Sequence, residues 1–123
     1  MKTEISASIE EAEKPSDGIP AAQPIQENIV VYTDAGYSPE VLTVKAETTV
    51  TFKNESSAPM WTATNPHPAH NGYPTTGGCI GSTFDSCQEI GKDDSWQFKF
   101  DIVGTWKYHN HLNPEQKGTI IVE

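Results

Sequence analysis

The sequence contains no arginine, and all eight of its basic residues are lysines. Seventeen acidic residues outnumber them and give the 123-residue chain a net charge of −9 at pH 7. Binding to nucleic acid rests on positive charge, and such a chain offers no basic surface on which a phosphate backbone could lie. We therefore expect no nucleic-acid partner.

Long hydrophobic runs are also absent. No apolar stretch approaches the roughly 20 residues that cross a bilayer, so we expect no membrane span in this sequence. The N-terminus lacks the basic start and apolar stretch of a signal peptide. Either the signal or anchoring segment of an exported protein lies outside this sequence, or the protein stays in the cytoplasm. The sequence alone leaves both open.

The length of the chain suits one domain and some additional residues. Residues 1–27 hold six acidic residues and three of the nine prolines, without a sustained helical or strand period. We interpret residues 1–27 as an acidic flexible tether. A short helix over residues 5–14 is the competing interpretation, and Pro15 would end it. The predicted domain is residues 28–123.

After residue 27 the sequence changes to short runs rich in Val, Ile, Thr and aromatic residues, each bounded by turn residues. These runs predict strands over residues 29–33, 41–46, 48–53, 60–64, 95–101, 105–110 and 118–122. No convincing helix is present. The pattern is typical of an all-β, Greek-key antiparallel sandwich or barrel of about seven or eight strands.

One long segment, residues 65–90, shows no strand pattern, and loops of this length in compact domains are usually functional or disordered. It contains Cys79 and Cys87, the only two cysteines. Glycine-rich freedom between them favours a disulfide, which implies an oxidising compartment. A pair of free thiols is the alternative, and the spacing is not that of a compact two-cysteine chelate.

The four histidines fall into two pairs: His67 and His70 in the long loop, and His109 and His111 at the end of the predicted strand 105–110. Residues i and i+2 of a strand share a face. His109 and His111 therefore project side by side, and Tyr108 points to the core. A loop folded over this outer face would bring the two pairs together.

Three or four imidazoles without a thiolate suit copper, zinc or nickel in a tetragonal or tetrahedral site. We predict a metal site made of His67, His70, His109 and His111. Four unconnected surface imidazoles are the alternative. Met60 is a weaker candidate ligand, because filling apolar space is the commoner role of methionine. No phosphate loop, nucleophile elbow or pair of catalytic carboxylates can be identified, so we predict no catalytic residue.

The order of several motifs resembles the cupredoxins, small Greek-key copper proteins of the plastocyanin and amicyanin type. The motifs are Phe52-Lys53-Asn54, Pro59 with a following strand, the aromatic strand 95–101, residues 104–108 and residues 118–123. The resemblance covers nearly all of residues 28–123. It implies a cupredoxin fold, copper as the cofactor, and work in electron transfer or copper handling.

The four usual ligands of a blue copper site are absent from the matching positions. Asn110 stands at the thiolate position, Asn113 at the loop histidine, Gln116 at the methionine and Met60 at the earlier histidine. A blue site requires the copper–thiolate bond. We therefore expect a non-blue site.

Two further resemblances point to a displaced copper site. Multicopper oxidases have a His-Cys-His run whose histidines turn outward to a different copper cluster. A less studied set of cupredoxin-like proteins combines a Pro-His-Pro-x-His loop with a Tyr-His-Asp/Asn-His-Leu strand end, matched here by residues 66–70 and 108–112. By this similarity His109 and His111 feed a copper site on the outer face.

We therefore expect a monomeric, extracytoplasmic copper-binding protein, whether periplasmic, secreted or tethered at the cell surface. Its partner would be a redox or copper-delivery protein, and an electron carrier or copper binder is favoured over an enzyme. A metal-free cupredoxin scaffold that binds a partner is the alternative, and its histidines would point apart. A hydrolytic zinc enzyme would need an open coordination position and a general base, for which no obvious candidate exists.

Overall fold

The computed structural model describes residues 28–123, so the predicted tether of residues 1–27 lies outside the described residues. Eight strands and no helix form this part of the chain. The strands are β1 (Ile29–Thr33), β2 (Gly36–Ser38), β3 (Val41–Val44), β4 (Thr48–Asn54), β5 (Thr62–Thr64), β6 (Ser95–Phe100), β7 (Gly104–Asn110) and β8 (Asn113–Val122). Within residues 28–123, no helix has the length and apolar character that a bilayer crossing requires.

The strands form two four-stranded sheets, in the orders β2-β1-β4-β6 and β3-β8-β7-β5. Four strand pairs are antiparallel, whereas β1 with β4 and β3 with β8 are parallel. Both sheets contribute to one apolar core. The predicted all-β sandwich is confirmed, with mixed sheets that alternation along single strands cannot reveal.

The seven predicted runs all correspond to observed strands. The main differences are the short strand β2, which no predicted run covers, and the polar first half of β8. β2 has only three residues and begins at Gly36, whose φ of 115° suits glycine. β8 begins at Asn113 rather than at residue 118, because its polar first half is held by pairing with β7. Met60 forms an isolated bridge with Ile90 just before β5.

Aromatic side chains from both sheets fill the core. Phe52 of β4, Phe100 of β6 and Tyr108 of β7 are all fully buried. Burying side chains of this size stabilises a fold by about 1.5–3 kcal/mol each. Phe52 and Tyr108 meet edge to face with ring centroids 5.3 Å apart. The end of β7 that carries the histidines is thus anchored to the core through Tyr108.

The long segment between β5 and β6 is packed into this core from two points. Tyr73 is 2% exposed and packs on Trp106 at 5.1 Å, and Phe84 is fully buried and packs on Phe100 at 4.9 Å between ring centroids. The predicted disulfide between Cys79 and Cys87 is confirmed. A segment with two buried aromatic rings and a covalent link has a defined path.

Residues 84–86 run along the free edge of β5. The Thr64 amide donates to the Phe84 carbonyl at 2.9 Å, and the Ser86 amide donates to the Thr62 carbonyl at 2.8 Å. β5 is therefore flanked by β7 on one side and by residues 84–86 on the other. This arrangement brings the middle of the long segment to the outer face of the β7 end.

Candidate metal centre

The outer face at the end of β7 is set by the pairing around Ala63. Ala63 pairs with His109 of β7 on one side and with Asp85 on the other. Directly paired residues of a sheet project to the same side. His109 and Asp85 therefore stand on one face with the small Ala63 side chain between them, which leaves room above the sheet for another ring.

That space holds His70. Its ring is fully buried and lies 5.0 Å from the His109 ring and 4.8 Å from the His111 ring, measured between centroids. His67 is exposed and covers the cluster from the solvent side, at 5.3 Å from His109 and 5.0 Å from His111. One nitrogen from each of the four rings lies within 4.8 Å of the corresponding nitrogen of every other ring.

The long loop thus reaches the strand end, as the sequence argument required. His109 belongs to β7, and His111 lies just beyond it, fixed by a 2.7 Å hydrogen bond from its amide to the Trp61 carbonyl. The Trp61 ring packs on the His111 ring at 4.7 Å. Both strand histidines face the loop pair, in keeping with the i, i+2 rule.

Two of the rings are oriented by hydrogen bonds at their far nitrogens. Nδ1 of His70 donates to Oδ2 of Asp85 at 2.8 Å, and Nδ1 of His109 donates to Oδ1 of Asn65 at 2.6 Å. Nε2 of each ring then points to the centre of the cluster. Nε2 of His70 lies 3.2 Å from Nδ1 of His111, a separation suited to two nitrogens bound to one ion at about 2.0–2.1 Å.

Nε2 of His109 is buried and has no hydrogen-bond partner. Buried polar atoms are nearly always paired, so such an atom needs an explanation. Burial, followed by the neighbouring rings of His70, His67 and His111, lowers the pKa of His109 to about 4, while Asp85 acts in the opposite direction. Burial also lowers the pKa of His111. The neutral imidazole is the form that binds metal, so these residues fit a transition-metal ion.

Asp85 and Asn65 are the two residues at this centre that the sequence argument missed. Asp85 is the only acidic residue between the two cysteines, and Asn65 directly precedes the Pro-His-Pro run. Those positions are the only local signal. His70 and Cys87 both adopt left-handed backbone, with φ of 52° and 59°, a conformation that is uncommon outside glycine and enriched at functional sites.

The position that matches the blue-copper thiolate is a fully bonded structural site. Oδ1 of Asn110 accepts hydrogen bonds from the Trp61 amide at 2.9 Å and the Leu112 amide at 3.0 Å. Its Nδ2 donates to the Tyr32 hydroxyl at 2.9 Å. Met60 is fully buried in the apolar core, and residues 28–123 contain no free cysteine. The described part of the chain therefore has no clear set of type 1 ligands.

No protein-family model matches the chain, and neither does any curated protein sequence. Among solved structures, the chain is similar to a purple cupredoxin from Nitrosopumilus maritimus, with 20% identity over 77% of this chain and 98% of that one and a TM-score of 0.63. An oxidized amicyanin variant gives 22% identity over 83% of this chain and 87% of that one, with a TM-score of 0.62.

An amicyanin variant in its reduced Cu(I) form at pH 4 is similar to the same extent, with 20% identity over 83% of this chain and 87% of that one and a TM-score of 0.60. The two four-stranded sheets and the single core between them are consistent with the fold of these structural neighbours. The described domain therefore has the cupredoxin fold, without a clear set of type 1 copper ligands.

Proposed function

We propose that the domain is an extracytoplasmic protein that binds one copper ion through His67, His70, His109 and His111. The observation that carries the proposal is the convergence of four ring nitrogens within 4.8 Å, among which the buried Nε2 of His109 has no other partner. Copper is the divalent ion of the first transition row with the highest affinity for nitrogen sites. Bound copper would supply one-electron chemistry.

The role best supported is copper holding and delivery. His109 and His70 are buried and held from behind, whereas His67 is exposed on the loop. An exposed ligand beside buried ones gives an ion a route in and out without unfolding of the core. Imidazole ligands without a thiolate also favour Cu(II), which suits storage or transfer in an oxidising environment.

Electron transfer is the second candidate. It is favoured by the fixed positions of His70 and His109, since ligands that are hydrogen-bonded from behind move little when the charge at the centre changes. Protein-film voltammetry separates the two roles. Fast reversible exchange would support a carrier, and slow exchange with loss of the ion on reduction would support holding and delivery.

The extracytoplasmic location is supported by the Cys79–Cys87 disulfide, because such links persist in oxidising compartments. A redox or copper-delivery protein is the partner we propose, and we expect the domain itself to be a monomer. Thiol labelling of the protein taken from its native compartment tests the location. Fully oxidised cysteines are the expected result.

Titration of the metal-free protein with Cu(II) tests the site. We expect one ion per chain, weak visible absorption and the wide hyperfine splitting of a tetragonal centre in paramagnetic resonance. Replacing His109 and His111 together by alanine should abolish tight binding, with circular dichroism as the check that the variant folds.

Three outcomes would count against the assignment: unchanged affinity in the double variant, no stoichiometric uptake by the wild type, or an intense blue absorption band. The metal-free interaction domain requires the second of these. A competition titration with Zn(II) tests the metal, and tighter binding of zinc than of copper would refute copper as the resident ion.

A further inference from the structure

Asp85 is a buried carboxylate behind His70, and both side chains are fully removed from solvent. Its Oδ2 receives the hydrogen bond from Nδ1 of His70. We propose that Asp85 is a positioning residue that fixes His70 in the tautomer whose Nε2 can bind a metal. The tautomer of His70 is a property of the metal-free chain, whereas its effect on copper binding rests on the proposed function.

The tautomer follows from what a carboxylate can do. An ionised carboxylate only accepts hydrogen bonds, so the proton of a neutral His70 ring must be on Nδ1. The lone pair is then on Nε2, the atom that lies 3.2 Å from Nδ1 of His111 inside the cluster. The opposite tautomer would place a proton where the metal has to bind.

Asp85 is itself held on its other oxygen. Oδ1 accepts from Nε1 of Trp61 at 2.7 Å and from the amide of Cys87 at 2.8 Å. Trp61 belongs to the segment just before β5, and Cys87 is linked to Cys79. With three donors around it, the carboxylate has one orientation, and that orientation is passed on to the His70 ring.

These contacts make Asp85→Asn an informative change. Two donors, Nε1 of Trp61 and the amide of Cys87, require an oxygen at the position of Oδ1. The amide NH₂ of the variant then faces Nδ1 of His70, which must accept instead of donate. The ring proton moves to Nε2, and His70 loses its metal-binding atom without any change in side-chain volume.

Nitrogen-15 NMR of the metal-free protein at pH 8, with labelled histidine, reads the tautomer directly. We expect the proton of His70 on Nδ1 in the wild type and on Nε2 in Asp85→Asn. The matched control is Asp101→Asn, the same change at an exposed residue, and it should leave His70 unaltered. A wild-type His70 protonated on Nε2 would overturn the proposal, as would an unchanged His70 in Asp85→Asn. If that variant does not fold, the wild-type tautomer alone decides.

Copper affinity gives a second and separate readout through a double-mutant cycle. Loss of a group that orients a metal ligand typically weakens binding 10–100-fold, and we expect about that loss for Asp85→Asn. In the background of His70→Ala the same change should have no further effect. Equal losses in both backgrounds would mean that Asp85 acts through Trp61 and the disulfide loop instead, and would refute the positioning role. If even the wild type binds no copper, the proposed function fails, and the NMR result still decides the tautomer.

Discussion

The two faces of β7 near its end differ in how their polar atoms are satisfied. On the inner face, Asn110 uses its side chain in three hydrogen bonds of 2.9–3.0 Å to the backbone and to Tyr32. On the outer face, one residue away, Nε2 of His109 is buried with no partner among three other imidazoles. The Asn110 side chain on the inner face is thus satisfied within the protein, whereas the outer face presents a buried ring nitrogen without a hydrogen-bond partner.

This difference supports the proposal that a cupredoxin fold without the usual ligands binds a metal on the outer face of β7. The thiolate position belongs to the inner face, where Asn110 now connects β7 to the segment before β5. A shift by one residue turns a side chain to the other face of a strand. His109 and His111 use that second face, and the long loop supplies the cover that an outer face ordinarily lacks.

The largest expected effect is on the inner face. Asn110→Ala leaves the amides of Trp61 and Leu112 and the hydroxyl of Tyr32 without their partner, and each unsatisfied buried group costs about 1–3 kcal/mol. We expect the free energy of unfolding to fall by about 3–4 kcal/mol in urea titrations. Asn113→Ala, at an exposed position on β8, is the control and should change stability by less than about 0.5 kcal/mol. A small loss at Asn110 would contradict the structural role of the inner face.

The next largest effect is expected at the disulfide-linked part of the long loop that covers the outer face. Replacing Cys79 and Cys87 by serine opens a short loop, and the chain-entropy model gives a loss of about 2–3 kcal/mol. Because Asp85 lies between the two cysteines and is hydrogen-bonded to His70, copper affinity should fall as well, while the pairing of β7 with β5 persists in hydrogen exchange. If copper affinity is unchanged although stability drops, the disulfide-closed loop does not contribute to the orientation of His70.

The strands and the histidines could be predicted because their signals are local. Alternation of apolar and polar residues gives β4 and β6, and the i, i+2 rule gives the shared face of His109 and His111. The first half of β8 is polar, and only its pairing with β7 makes it a strand. The local sequence pattern of residues 113–117 carries no information about this pairing.

The reach of the loop and the groups behind the rings could not be predicted. The loop lies over β7 because Tyr73 and Phe84 are buried in the core, which no spacing between histidines indicates. Asp85 is 15 residues from His70, and Asn65 is 44 residues from His109. Hydrogen bonds over such separations depend on the complete fold.

The pH dependence of stability gives a smaller difference between the two faces. His109 on the outer face titrates, whereas Asn110 on the inner face carries no titratable group. In the metal-free protein the pKa of His109 is lowered to about 4 from 6.5. Between these values the unfolded chain binds more protons than the folded one, so this contribution to stability is complete above pH 6.5 and is lost as the pH falls towards 4. The slope should not exceed about 1.4 kcal/mol per pH unit.

Urea midpoints at pH 7.5, 5.5 and 4.5 measure this slope. Carboxylates titrate in the same range in every variant, so the informative quantity is the difference between the wild type and His109→Gln. We expect a shallower dependence in His109→Gln. Parallel curves for the two proteins would show that the His109 ring is not buried in its neutral form.

The smallest effect tests whether an unpaired atom by itself makes a metal site. The hydroxyl of Tyr108 is also buried without a partner, and it lies against the backbone of Gly118, while its ring packs on those of Tyr37 and Phe52. Tyr108→Phe removes a buried unsatisfied group, so we expect a change within about 1 kcal/mol, in the stabilising direction, and unaltered copper affinity. Tyr37→Phe is the control, because its hydroxyl bonds Thr62 at 2.9 Å and its loss should destabilise by about 1 kcal/mol. A large loss in Tyr108→Phe would reveal a partner for that hydroxyl and would contradict its unpaired state.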